Sequence, residues 1–398
     1  MNRRFFISAL LCFIPVISFS AVYDVKDYGA KGDGITKDTK AVQAAIDAAG
    51  AAGGGTVELG SGTYICGSLW LRDYVDLHIG AGAIIKGSPD IEDYCAGDCC
   101  PQNSASPRSG DNTTGGHLLL GVGVKKVTVR GPGIIDGNSP VFLSGAGGSG
   151  YESKYEIPVR PAQMIWFVDS SDIRIYDLEM NNAPYWSCFI LNCERVWIRG
   201  CHVHTERNLF RTFNGDGIDV DRCLFVEISD CLFDTFDDCL TFRASAASRL
   251  ASPKDCAWIT VTNCNLSSSC NAIRIGVGEG NIHDLNISNV NVYNSRIAFN
   301  FVASWSKDSR GTDISGVRIS GARIEASSFL KMYHKFSTKA VFRDITFSDV
   351  SGSVKEDIQI IADKAMPFKH IVLDNIDLSC GINAENADLV IRGGTLSQ

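Results

Sequence analysis

The sequence predicts an all-β chain, a solenoid of short parallel strands closed at its N-terminal end by a helix. Two patterns carry this prediction. Short alternating apolar and polar stretches, each followed by Gly, Asn or Asp, recur from Val127 through Ile173, Val196, Val226, Ile259, Leu285, Val317, Ile345, Ile371 and Leu389. From Val196 to Ile371 they are 26 to 33 residues apart, the span of one coil. The cysteines keep the same register: Cys193, Cys223 and Cys256 lie three residues before their copy's first apolar residue, and Cys201, Cys231 and Cys264 five after it. Coils that stack at one strand spacing, ~4.8 Å, turn these into two cysteine columns.

The elements follow in chain order. Arg3 and Arg4 precede an apolar run from Phe5 to Ile17, and Ser18 and Ser20 fit a small-residue cleavage site, so residues 1–20 read as a secretory signal. A membrane anchor is the other reading, but the run falls short of the ~20 residues that span a bilayer. The expected location is therefore secreted, extracellular or periplasmic, with no membrane contact after signal removal. Asp38 to Ala52 is Ala-rich, with Val42, Ile46 and Ala49 at helical spacing and Asp38 as its N-cap. Such a helix covers the open end of the first coil, within a cap region of residues 21–60. Gly53 to Gly55 make a tight turn, since no GKS or GKT follows to cradle phosphate. No linker marks a second domain, so residues 21–398 are expected to form one.

Composition narrows the function. Of 398 residues 45% are hydrophobic and 21% charged, which excludes a disordered chain. A net charge of −8, from 37 basic and 45 acidic residues, argues against nucleic acid as a partner. Without Cys12, 14 cysteines remain, and an oxidising route permits disulfides. The stacked columns are expected to pack as buried thiols, and Cys95, Cys99 and Cys100, in a Gly- and Pro-flanked segment, are the better disulfide candidates.

Aspartates concentrate where two consecutive coils align. NGDGIDV at Asn214 to Val220 and FDDCLTF at Phe236 to Phe242 superpose so that Ile218 meets Leu240 and Val220 meets Phe242. Asp216 and Asp238 then share one position, 22 residues apart, with Asp237 beside them in the bend. Alternation turns Ile218, Val220, Leu240 and Phe242 inward and leaves Asp219, Asp221, Thr241 and Arg243 outward. Carboxylates stacked at this spacing repel and raise at least one pKa, as acid and base catalysis requires. Two other readings compete: Asp simply suits solenoid bends, or the oxygens hold calcium. No metal and no cofactor is expected. Arg243 and Arg274 fall on outward positions of consecutive coils beside these acids, with Arg296, Arg207 and Arg211 near in sequence. A guanidinium fork suits a sugar carboxylate or holds an aspartate ionised. Among Trp186, Tyr185, Trp305, Tyr333 and His334, Trp186 and Tyr333 are the candidates for sugar contact.

At these residues the chain resembles the polygalacturonase family of glycoside hydrolases, family 28, in the pectin-lyase-like group of right-handed parallel β-helices. Tyr23 to Asp47 resembles that group's N-terminal segment, and RPAQMIWF with NNAPYW resembles the approach to its active site. NGDG at Asn214 to Gly217 is similar to the family's Asn-Thr-Asp-Gly motif, and DDCLTFR at Asp237 to Arg243 to its Asp-Asp motif. The resemblance implies hydrolysis of an α-linked pectic or other acidic polysaccharide by a secreted monomer. Asp237 would be the general acid, and Asp216 and Asp238 would deprotonate water in one inverting displacement. Inversion sets an expected acid-to-base separation of roughly 6.5–9.5 Å. Where the family has Gly-His-Gly, this chain reads SSCNAIRIG, with Cys270 or Asn271 in the histidine's place. Where it has Arg-Ile-Lys for the uronate carboxylate, an inward register for Ile297 and Phe299 puts Ala298 and Asn300 at the basic positions. That departure predicts that plain polygalacturonate is a poor substrate compared with a branched or rhamnose-containing pectic polymer, unless Arg274 is instead a relocated carboxylate anchor. The alternatives are a polysaccharide lyase or epimerase on the same fold, and a non-catalytic polysaccharide-binding adhesin.

Overall fold

The computed structural model describes residues 21–102, 113–143, 159–205, 214–248, 250–336 and 339–396. The signal-like segment 1–20 with Cys12, and Arg207 and Arg211, lie outside the described residues. The strands form a single sheet whose ladders are all parallel, wound so that each strand pairs with its counterpart one coil away. One coil runs through Cys188–Leu191, Glu194–Arg199 and His202–His204; the next through Ile218–Asp221, Leu224–Ser229 and Leu232–Thr235. This is a parallel β-helix.

The repeat read from sequence is one continuous column. Ile173 pairs with Val196, Val226, Ile259, Leu285, Val317, Ile345, Ile371 and Leu389 in turn. These side chains point into the tube because alternate residues of a strand share a face. Further on, Phe299, Phe301, Phe329 and Phe347 fill the interior with edge-to-face contacts at 5.4–5.9 Å. Each such ring contributes roughly 1.5–3 kcal/mol by burial.

The cysteine columns are also as expected, buried to within about 1% of full enclosure. The N–H of Cys193 donates to the sulfur of Cys223 at 3.3 Å, one coil on. Among the described residues no cysteine is joined in a disulfide, Cys95, Cys99 and Cys100 included, which corrects the disulfide expectation. The trio instead packs its sulfurs against an apolar cluster on the outer face of the sheet.

The helix Thr39–Ala51 buries Val42, Ala45, Ile46 and Ala49 against the first coil. Asp38 precedes it but makes no capping hydrogen bond. Its carboxylate accepts the N–H groups of Lys31 and Gly32 at 2.7 and 2.9 Å, so it holds the preceding loop closed rather than the helix start.

The outer face of the first strand of each coil decides where a site can form. Leu120, Trp166, Phe189, Asp219, Thr241, Arg274, Asn300 and Lys331 occupy successive coils of one outward column. The first three join Trp186, Leu191 and Leu250 in the outer apolar cluster. From Asp219 onward the column is polar, and its later members Arg274, Asn300 and Lys331 line a pocket.

Candidate active site

The bends before these strands deliver the acids. Asp216 and Asp238 stand two residues before the paired Ile218 and Leu240, as the sequence alignment requires. In the next two coils Asn271 and Ile297 hold that position. Gly217 lets the bends approach: a Cβ there would lie 2.4 Å from the carbonyl oxygen of Cys239. The polypeptide around Asp237 is fixed by its carbonyl, which accepts the hydroxyls of Thr235 and Ser268, both at 2.6 Å.

Every residue named from sequence as catalytic or substrate-binding lines one pocket of about 340 Å³: Asp216, Asp237, Asp238, Asn214, Arg243, Asn271, Arg274, Arg296, Asn300, Trp186 and Tyr333. Sequence reading missed Lys331 and Lys335, and it set Trp305 aside although it also lines the pocket. Lys331 was legible as the outward residue one coil beyond Asn300, had the column been extended. Tyr185 and His334 do not join them. Tyr185 stacks under Trp186 at 4.8 Å, and His334 is buried with its ring nitrogens bonded to the Ala340 carbonyl and the Asp363 N–H.

The arginines lie inside the site, not on its surface. Arg274 is buried, its Nε donates to Asp238, and its Nη2 lies 3.7 Å from Asp216. Asn271 donates to the other oxygen of Asp238 and receives the amide of Asn300 at 3.0 Å. Arg274 thus takes the role of a guanidinium held against the aspartates, and its Nη1, in the same pocket, has no hydrogen-bond partner. Arg243 is held by Asp219 and Asp221 at 3.4 and 3.9 Å and lies 4.8 Å over the Trp186 ring. Trp186, between Tyr185 and Arg243 and 5% exposed, is a wall rather than an open sugar platform. Asp219, Asp221 and Thr241 are outward yet fully buried, because this layer closes over them.

Burial, then repulsion from Asp237, pushes the Asp216 carboxyl well above the usual range, with Arg274 opposing. Burial also lifts Asp219 to about 6 against the pull of Arg243 and Arg274. Asp237 and Asp238 present oxygens within 4.8 Å of each other and of the Cys270 sulfur. This proximity follows because the two acids are consecutive residues of one bend. The register at Ile297 also differs from expectation: Ile297 lines the pocket, whereas Ala298 joins Phe299 in the core. The strand reverses its alternation there, so no side chain of residue 298 reaches substrate.

Comparisons with known proteins identify the family. The N-terminal residues 22–115 match the model "Rhamnogalacturonase A/epimerase, pectate lyase-like". A probable polygalacturonase of Vitis vinifera is 28% identical over 210 residues, 51% of this chain and 40% of that one. Alginate lyase 7 of Azotobacter vinelandii is 74% identical over only 42 residues, 11% of this chain and 5% of its own. The chain thus spans well under two thirds of these relatives' lengths. An exopolygalacturonase structure from Thermotoga maritima shares the fold with a TM-score of 0.75 at 18% identity, covering 95% of this chain and 92% of that one. The model for glycosyl hydrolases family 28 matches residues 103–390, and the chain belongs to that family.

Proposed function

We propose that the protein hydrolyses glycosidic bonds of a pectic or related acidic polysaccharide, and that it acts after secretion, directed by residues 1–20. The observation that carries this reading is the convergence of Asp216, Asp237 and Asp238 from two aligned bends on one pocket, with Arg274 bridging two of them. Asp238, held by hydrogen bonds from Arg274 and Asn271, is oriented to accept a proton from water. Asp216 shares that water from the neighbouring coil, and its raised pKa brings it toward the range where a base works best. Asp237 gives its proton to the glycosidic oxygen as the bond to the anomeric carbon breaks. The water oxygen bonds that carbon, one of its protons passes to Asp216 or Asp238, and the leaving sugar departs as an alcohol. Attack from the side opposite the leaving group inverts the anomer.

The substrate's acidity is supported by two further cations in the pocket. Lys331 pairs with the half-exposed Glu356 at 2.9 Å, and Lys335 lies 3.7 Å over Trp305. Both lie on the C-terminal side of the acids in the same pocket. Reducing ends released from polygalacturonate or from a rhamnose-containing pectic polymer, without ultraviolet-absorbing unsaturated ends, would support hydrolysis. Unsaturated products would point to a lyase, and binding without release to an adhesin.

A further inference from the structure

We propose that Asp237, Asp238 and Cys270 form a site for a thiophilic divalent cation of the zinc class, and that its occupancy shuts off the catalytic acids. One ligand atom from each residue lies within 4.8 Å of the others, and all three residues are buried. Tetrahedral zinc with sulfur at about 2.3 Å and oxygen at about 2.0–2.2 Å sets its ligands roughly 3.5 Å apart. Side-chain rotation alone covers that difference.

A second, independent feature points to a cation. Asp216 is 3% exposed, lines the same pocket, and its Oδ1 has no hydrogen-bond partner. It faces the same pocket from the adjacent coil, next to the three-residue cluster. Three buried carboxylates share this corner, and Arg274 contacts two of them. A divalent ion compensates the remaining negative charge more fully than one guanidinium.

The donor set selects the metal. Calcium takes six to eight oxygens and has no use for sulfur. Thiolate with carboxylates suits zinc, cadmium or cobalt. The Cys270 sulfur already accepts hydrogen bonds from Arg296 Nη2 at 3.0 Å and Asn271 Nδ2 at 3.2 Å, while burial and the carboxylates of Asp237 and Asp238 push its thiol pKa up, so the metal must displace that proton. On binding, the S–H bond breaks, a metal–sulfur bond forms and the proton leaves to water, with no change in oxidation state. Both Asp238 oxygens keep lone pairs beyond their bonds to Arg274 and Asn271.

The test is titration of the whole chain with Co²⁺, followed by near-ultraviolet absorption. Wild type is expected to develop a thiolate-to-cobalt band at one equivalent, which Zn²⁺ displaces. Cys270→Ser should abolish the band and Asp237→Asn should weaken affinity at least 10-fold. A Cys95→Ser, Cys99→Ser, Cys100→Ser triple variant should retain it, because those thiols lie away from the pocket. Absence of the band in wild type, or its persistence in Cys270→Ser, would overturn the site. That occupancy blocks turnover rests on the hydrolase reading, whereas the cobalt band does not. A band from a protein that cleaves no glycan would leave the site standing and refute that reading. Cleavage unaffected by saturating Zn²⁺ would refute the inhibitory role alone.

Discussion

Arg274 donates through Nε to Asp238 and stands 3.7 Å from Asp216 through Nη2, so one guanidinium ties together carboxylates from two successive coils. Removing it leaves buried charge uncompensated, a loss of about 3–5 kcal/mol in comparable buried pairs. Arg274→Ala is expected to lower the thermal midpoint and to reduce kcat with little change in KM. A selective rise in KM for uronate substrates would instead support the anchor role read from sequence.

The three acids should each be indispensable. Asp216→Asn, Asp237→Asn and Asp238→Asn are expected to lower turnover by at least ~10²-fold with circular dichroism unchanged. Near-normal rates for Asp237→Asn would remove it as the proton donor.

Stereochemistry is decided by the product. Proton NMR of the first product should show the inverted anomer, from water attacking on the Asp216 side. A retained anomer would instead make one of the three acids a nucleophile.

Asp219 links stability to pH. Its folded pKa, about 6, lies above the ordinary 3.8, so the folded state binds the proton more tightly. Its contribution is fully present below pH 3.8 and is lost as pH rises through about 6. The stability of wild type relative to Asp219→Asn should therefore be greater at pH 4 than at pH 7, by up to ~3 kcal/mol. A pH-independent difference in urea unfolding would contradict this.

Lys331 is the cation placed to meet a sugar carboxylate. Lys331→Met should raise KM about 10–100-fold for free-acid oligomers, as for loss of a hydrogen bond to a charged group, and hardly change it for methyl-esterified ones. Equal effects on both would assign Lys331 to structure, through Glu356.

The repeat, the cysteine columns and the catalytic bends were legible in sequence because a parallel coil makes register one-dimensional. Once Ile218 is set against Leu240, Asp216 must lie beside Asp238. Residue type and spacing also determined that Asn214, Arg243, Asn271, Arg274, Arg296, Asn300, Trp186 and Tyr333 would gather there. What each does there was decided only in three dimensions. Alternation says inward or outward, not whether the outward face is covered, and the layer of Trp186, Arg243 and Asp221 buries Asp219. Nor does it reveal a local reversal such as the one that takes Ala298 into the core and brings Ile297 to the pocket. Charge pairing is likewise a matter of distance in space. Asp238 takes up Arg274 across 36 residues of chain, and Lys331 becomes the outlying cation because the fold places no buried carboxylate against it.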